Sequence, residues 1–401
     1  MAKVIVHIDL NAFFVRCEEI RNPSLENKPV AIGHIGRAGV VSTCSYEARK
    51  YGVYSAMPMN KALELCPELL VIHPDFHFYS MMSHRFRNYI RTITPNIEMA
   101  SVDELFADFT EVVKNEKNVE KYFRMIQQTL YETTGLKCSI GVGPTRFLAK
   151  MGSDYQKPMG LTIIRRRDIK KILYPLPIDD MFGVGKKSAP RLKNIGIKTI
   201  GDLADALNNN REDVLNILGK FSSELKDWVN GKGSDSISTE SWDPKSIGSS
   251  TTLMEDTNRY EVVKPVFEML AHEVSERAKR ENKIGNTIQI MVKDTQYKAH
   301  NKSITFQNHT NSSRDILNYA LRLYEGNFMD MTIRACGITL QNLIDIKEMK
   351  IQMTFFDYEM HMEESKTKLL INDLNRKIKG KPLKRASEVK KNGNNWCDRF
   401  I

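Results

Sequence analysis

The sequence predicts a multidomain α+β protein. Three observations carry this: short β-branched strands alternate with helices at the N-terminal end, a middle stretch from about 168 to 232 has helix signals alone, and the part after it reads β-α-β-β-α-β. The chain has 401 residues, enough for two to four domains at roughly 100–200 residues each. Hydrophobic residues make up 41% and charged residues 27%, the balance of packed cores rather than of a disordered chain.

Val4–Ile8 is a β-branched run that ends in Asp9. Residues 13–21 continue helically and Pro23 stops them. Residues 28–32 and 39–45 read as two strands joined by a glycine-bearing turn, followed by helices over 46–51 and 60–65. A long helix spans 75–93. Strands over 97–101 and 105–109 flank a tight turn that carries Asp103 and Glu104. A helix over 121–134, a strand over 137–142 and a helix over 146–155 complete an α+β domain with a mainly antiparallel sheet. Residues 233–244, polar and serine-rich and closed by a proline, read as a linker. After it come a strand over 246–253, a helix over 262–282, strands over 287–292 and 298–306, a helix over 313–324 and a strand over 332–341. Residues 345–401 form a charged tail.

No apolar run of about 18 residues is present to span a membrane, and the N-terminus lacks the pattern of a signal peptide. The cysteines Cys17, Cys44, Cys66, Cys138, Cys336 and Cys397 form no CxxC pair and suit a reducing cytoplasm. The net charge of +10 is spread over all regions rather than gathered in a basic tail. That is the pattern of several modules gripping one polyanion, although an ordinary basic protein has it too.

Asp9 ends the first strand and Asp103 with Glu104 sits on a turn between two others. If those strands are neighbours, three carboxylates meet at one sheet edge, and they require cations between them. Two Mg²⁺ ions held by carboxylates and substrate phosphates are the common solution, and they serve in-line phosphoryl displacement. Ser45, Arg49 and Lys50 at a helix start and Lys157 on a loop supply a hydroxyl and cations suited to a triphosphate. Gly183-Val184-Gly185-Lys186, followed by the Gly196–Gly201 turn, looks like a helix-hairpin-helix element, whose backbone N–H groups suit a DNA phosphate.

HIDLNAFFVRCEE, SYEARKYGV, SVDELFADFT, SIGVGPTRFLAK and QKPMG, in this order, resemble the Y-family translesion DNA polymerases, in particular their bacterial DNA polymerase IV branch. The resemblance covers residues 1 to about 342. It implies a right-hand polymerase: a catalytic palm (1–12 and 75–165), small fingers (13–74), a helical thumb (166–232), a linker (233–244) and a β-α-β-β-α-β little finger (245–344). It implies Asp9, Asp103 and Glu104 as catalytic, metal-binding carboxylates, with the Leu10 backbone carbonyl completing one metal's shell. Phe14 corresponds to a steric gate against a ribose 2′-hydroxyl. Phe13, Phe14, Thr43, Tyr46, Arg49 and Lys157 correspond to the dNTP site, and Arg334 to a template-phosphate contact. Asn11 departs from the second Asp of many members, and Ala335 from a basic residue beside Arg334 in some.

In the tail, Gln352, Phe355 and Phe356 resemble a sliding-clamp peptide, with a simple amphipathic strand as the competing reading. The expectation is a monomeric, cytoplasmic DNA-directed DNA polymerase of low fidelity that uses two Mg²⁺, primer-template DNA and dNTPs, and acts in translesion synthesis and repair. A nucleotide cyclase has similar carboxylates but no use for the hairpin or the last domain. A DNA- or clamp-binding factor without activity has no use for all three carboxylates.

Overall fold

The computed structural model describes residues 3–239, 243–348 and Leu374. The chain divides into two compact units, residues 1–242 and 243–401.

The first unit begins with β1 (Ile5–Leu10), α1 (Phe13–Arg21), β2 (Val30–Gly33), β3 (Val41–Cys44), α2 (Tyr46–Lys50), α3 (Met59–Leu65), β4 (Leu70–Ile72) and α4 (Phe76–Arg91). It continues with β5 (Ile97–Met99), β6 (Glu104–Asp108), α5 (Val119–Thr134), β7 (Cys138–Gly143), α6 (Arg146–Tyr155) and β8 (Leu161–Ile163). Short helices follow: α7 (Ile169–Ile172), α8 (Ser188–Asn194), α9 (Ile200–Asn208), α10 (Glu212–Leu218) and α11 (Ser222–Val229).

The main sheet has the order β5-β6-β1-β7-β8 and is antiparallel except for the β7–β8 pair. Strand side chains alternate between faces. Val6, Ile8 and Leu10 of β1 therefore join the large apolar core with Tyr79 and Phe86 of α4 and Phe123, Ile126 and Leu130 of α5. Ile5, His7 and Asp9 point to the other face, where α6 lies. Gly141 lets α6 come that close, because a Cβ there would run into the helix backbone at Ala149, Gly152 and Ser153.

Asp75, Asn118 and Thr145 cap α4, α5 and α6 by accepting backbone N–H bonds, which fixes where each helix starts. A small sheet of order β3-β2-β4 carries α2 and α3 on its own core. The short strands β4 and β8, both parallel additions to a sheet edge, are absent from the sequence reading. The helical stretch packs around Leu173, Leu192, Leu203 and Leu225. Five described cysteines are free and buried.

Residues 234–238, read as a plain linker, are bound to the main sheet. Arg146 N–H donates to the Ser234 carbonyl, its guanidinium to the Ser236 carbonyl, and Ser238 N–H to Glu98. Arg146 also pairs with Glu98, and Ile237 packs against Ile5, Phe106 and Ala149.

The second unit contains β9 (Ser246–Thr257), α12 (Tyr260–Arg280), β10 (Lys283–Asp294), β11 (Ala299–Thr310), α13 (Ser313–Asn327) and β12 (Ile333–Asp345). Its antiparallel sheet has the order β11-β10-β12-β9. Phe267 and Val274 of α12 and Ile316 and Tyr324 of α13 cover Ile288, Ile290, Ile338 and Leu340. All four strands run longer than the apolar pattern predicts, because their ends are polar yet paired. No helix among the described residues is long and apolar enough to cross a membrane.

Candidate active site

Antiparallel pairing of β1 with β6 sets Asp9 opposite Glu104 and His7 opposite Phe106. The pairing of β1 with β7 sets Ser139 opposite Asp9. These residues therefore share the face covered by α6. Both carboxylates carry ammonium partners. Lys157 Nζ is 2.8 Å and Lys150 Nζ 3.4 Å from Asp9 Oδ2, and Lys150 Nζ is 2.7 Å from Glu104 Oε1. Asp154, one helical turn beyond Lys150, holds both lysines, at 3.3 Å and 2.8 Å.

Burial pushes Asp9 up to about 7, helped by its hydrogen bond with Glu104 and opposed by Lys157. Burial acts upward on Glu104 as well. The nearby His7 imidazole, Asp9 and the Lys150 ammonium outweigh it and hold that carboxyl below the usual range. Asp9 thus holds its charge with difficulty while Glu104 holds it readily, and the cations at the pair are the two lysines.

Asp103 stands differently. Its backbone carbonyl accepts the Leu10 N–H at 3.0 Å, so the turn is fastened to the end of β1. Its side chain accepts from Ser101 Oγ at 2.5 Å. Among the described residues no three His, Cys, Asp or Glu side chains gather closely enough to hold a metal as they stand. The structure brings two of the three expected carboxylates together, with the third on the adjoining turn.

The loop with Lys157 is pinned from below. Asn11, which is buried, accepts the Met159 N–H at 2.8 Å and donates to Ser139 Oγ at 2.9 Å. Gln127 donates to the carbonyls of Cys138 and Gly160, both at 3.0 Å. An amide at position 11 serves as donor and acceptor at once, whereas a carboxylate there would only accept.

Tyr46 and Arg49 lie beside this centre. Arg49 stacks 4.5 Å from the Tyr46 ring, and the Tyr46 hydroxyl is raised by burial, with the charges of Arg49, Lys157 and Asp9 all in reach. Thr43 is half-buried on β3, opposite Ile32. The Ser45 hydroxyl, expected to face a triphosphate, is used internally. It accepts from Val30 and Ala48 N–H and donates to the Lys28 carbonyl, as a cap that holds α2 against β2.

Phe14 stacks on Tyr79 with ring centroids 4.4 Å apart and 15° between planes, and meets Phe76 edge-on at 5.9 Å. Phe13 is 98% buried (2% exposed) inside the core and presents no ring to the site. The hairpin forms as read, with Gly183 at φ +91, where a side chain is strained, and Lys186 over the Tyr54 ring at 5.5 Å. In the second unit, Arg334 forms a two-pronged pair with Asp256, at 3.1 Å and 2.9 Å, and stacks 4.4 Å from the Tyr297 ring. Gln352, Phe355 and Phe356 lie outside the described residues.

The sequence reading missed His7, Lys150, Asp154 and Asp256. His7 had a signal, since it precedes Asp9 by two on a strand and so shares its face. The lysine had none, because its reach to Asp9 depends on how α6 is laid across the sheet.

The impB/mucB/samB family model matches residues 8–154, the C-terminal domain model of that family matches 244–354, and the IMS family HHH motif matches 166–197. DNA polymerase IV of Bacillus velezensis is 35% identical over 97% of this chain and 94% of its own length. This chain belongs to the Y family of DNA polymerases.

DNA polymerase IV 1 of Bacillus subtilis is likewise 35% identical, over 97% of the chain and 94% of its own length. Among solved Y-family structures, a Dbh–Dpo4 chimera is 28% identical with a TM-score of 0.75, covering 85% of this chain and 99% of its own. An insertion ternary complex of Dbh DNA polymerase is 28% identical with a TM-score of 0.60, at the same coverage. As a Y-family member the chain is a DNA-directed DNA polymerase of the DinB-like branch, with palm, fingers, helix-hairpin-helix thumb and little finger.

Proposed function

We propose that this polymerase carries out low-fidelity, template-directed synthesis across damaged DNA, adding dNTPs to a primer 3′ end with two Mg²⁺ ions bound. The observation that carries the reading is buried Asp9 paired with half-buried Glu104, with Lys157, Tyr46 and Arg49 around them. Relatives named DNA polymerase IV and a neighbour described as an insertion ternary complex support it. Residues 1–12 and 75–165 serve as palm, 13–74 as fingers, 166–232 as thumb, 233–244 as linker and 245–344 as little finger.

Asp9, Asp103, Glu104 and the Leu10 carbonyl would hold the ions. Bound there, Mg²⁺ supplies a lowered pKa for the primer hydroxyl and neutralisation of the leaving pyrophosphate. Lys157 and Arg49 bind triphosphate oxygens, and Thr43 and Tyr46 donate to them. Phe14, held flat by Tyr79, keeps a ribose 2′-hydroxyl out. The Gly183–Gly185 hairpin and Lys186 bind duplex phosphates and Arg334 the template strand, contacts that hold register without reading bases.

The fingers are too short to close as a large lid, and Ser42 and Ala56, both exposed, leave the nascent pair loosely enclosed. A loose enclosure discriminates weakly between shapes and so passes damaged bases. The tail, through Gln352, Phe355 and Phe356, tethers a monomeric enzyme to the sliding clamp in the cytoplasm. Extension of an annealed primer with dNTPs, with and without Mg²⁺, tests the reading. Absence of metal-dependent extension on undamaged template would overturn it.

A further inference from the structure

His7 is wholly buried, yet one of its ring nitrogens has no hydrogen-bond partner. That atom, Nε2, points at Glu104 and lies 3.6 Å from Oε2. The other nitrogen, Nδ1, is 2.7 Å from Ser153 Oγ on α6. The ring rests on Phe106 at 4.5 Å between centroids. A buried polar nitrogen without a hydrogen-bond partner is costly, so packing alone does not account for an imidazole here. A phenyl ring would fill the same space at lower cost.

Ser153 has one hydroxyl proton and two acceptors in reach, His7 Nδ1 and the Lys150 carbonyl at 2.9 Å. That carbonyl, inside α6, keeps its helical donor either way. When Ser153 donates to Nδ1, the ring proton sits on Nε2 and faces the carboxylate. Lys150 pulls the opposite oxygen, Oε1, at 2.7 Å.

We propose that His7, oriented by Ser153, is a positioning residue that holds the Glu104 carboxylate for metal binding and closes on Oε2 when Lys150 lets go of Oε1. This rests on the polymerase reading. It adds a Ser153–His7–Glu104 chain running from α6 through β1 to β6, placed where a partner of a ligating group orients it.

The test uses the full-length protein with His7→Phe, which keeps a ring on Phe106 and removes both nitrogens, and His7→Gln, which restores an N–H near the Nε2 position. Mn²⁺ binding is read by electron paramagnetic resonance without DNA or dNTP, and half-saturating Mg²⁺ by single-nucleotide insertion. In His7→Phe both should weaken about 10-fold or more, the usual scale for losing such a partner, while primer-template affinity and the thermal midpoint stay near wild type. His7→Gln should recover most of the loss. Wild-type metal binding in His7→Phe, or no recovery in a folded His7→Gln, overturns the proposal. Should His7→Phe fail to fold, Ser153→Ala must weaken Mn²⁺ binding in the same direction, and an unchanged value overturns the proposal equally. If the wild type fails to extend primers with Mg²⁺ and dNTPs, the polymerase reading fails instead.

Discussion

Lys157 Nζ lies 2.8 Å from Asp9 Oδ2, so the cation assigned to the triphosphate rests on the carboxylate assigned to metal. The two residues come from strand β1 and from a loop 148 positions away, and Asn11 beside Asp9 holds that loop through Met159.

Asp103 is half-buried on its turn, and its side chain accepts from Ser101. Asp103→Ala should therefore leave the fold intact while extension falls by roughly 10³-fold or more, the scale of several kcal/mol of lost charge stabilisation. A gel-shift assay should show wild-type primer-template binding. Normal extension by this variant would remove Asp103 from the catalytic set.

Phe14 is held against Tyr79 by a flat stack, and Tyr79 is itself anchored by its hydroxyl donating to Glu18 at 2.7 Å. Phe14→Ala removes the ring but not its support. Ribonucleotide insertion should rise by about two orders of magnitude relative to deoxynucleotide, as expected when a steric barrier worth about 3 kcal/mol is lost. Single-turnover kinetics with matched dNTP and rNTP measure it.

Arg334 must exchange Asp256 for a phosphate if it grips the template. Arg334→Ala should weaken primer-template binding evenly across sequences and reduce the salt slope of log K by about 1. Fluorescence anisotropy across a range of salt concentrations reads both quantities. An unchanged slope would place the contact elsewhere.

Phosphate contacts weaken with salt, so synthesis by the enzyme alone should be distributive. A tethered clamp would raise the local concentration of enzyme at the primer without altering its chemistry. Replacing Phe355 and Phe356 with Ala should leave single-nucleotide insertion unchanged and remove clamp-stimulated extension. A double variant that still responds to clamp would make the segment structural.

Asp9 and Glu104 were legible because each marks a strand end, and strand periodicity carries side chains to one face. Lys157 was legible as a loop cation. The loops and caps that hold these groups are local, which is why α4, α5 and α6 begin within two residues of their expected starts. His7 was legible only as a residue on the face of Asp9, and Lys150 not at all, since its reach depends on α6 lying against β7 through the Gly141 contact. Strands β4 and β8 have three residues each, too few for a pattern, and form because a neighbour offers an open edge. The Ser45 hydroxyl looked available for a ligand, but a cap position and a ligand position carry the same residue types.

On the proposed assignments, the two lysines on the carboxylates would make metal and nucleotide affinity interdependent. When Lys157 leaves Asp9 for a triphosphate, Asp9 is left short of positive charge in a buried site, and a divalent ion becomes a better guest. Reciprocity then requires that the ion improve nucleotide affinity by the same factor. Under those assignments the resting site would be biased against either ligand arriving alone.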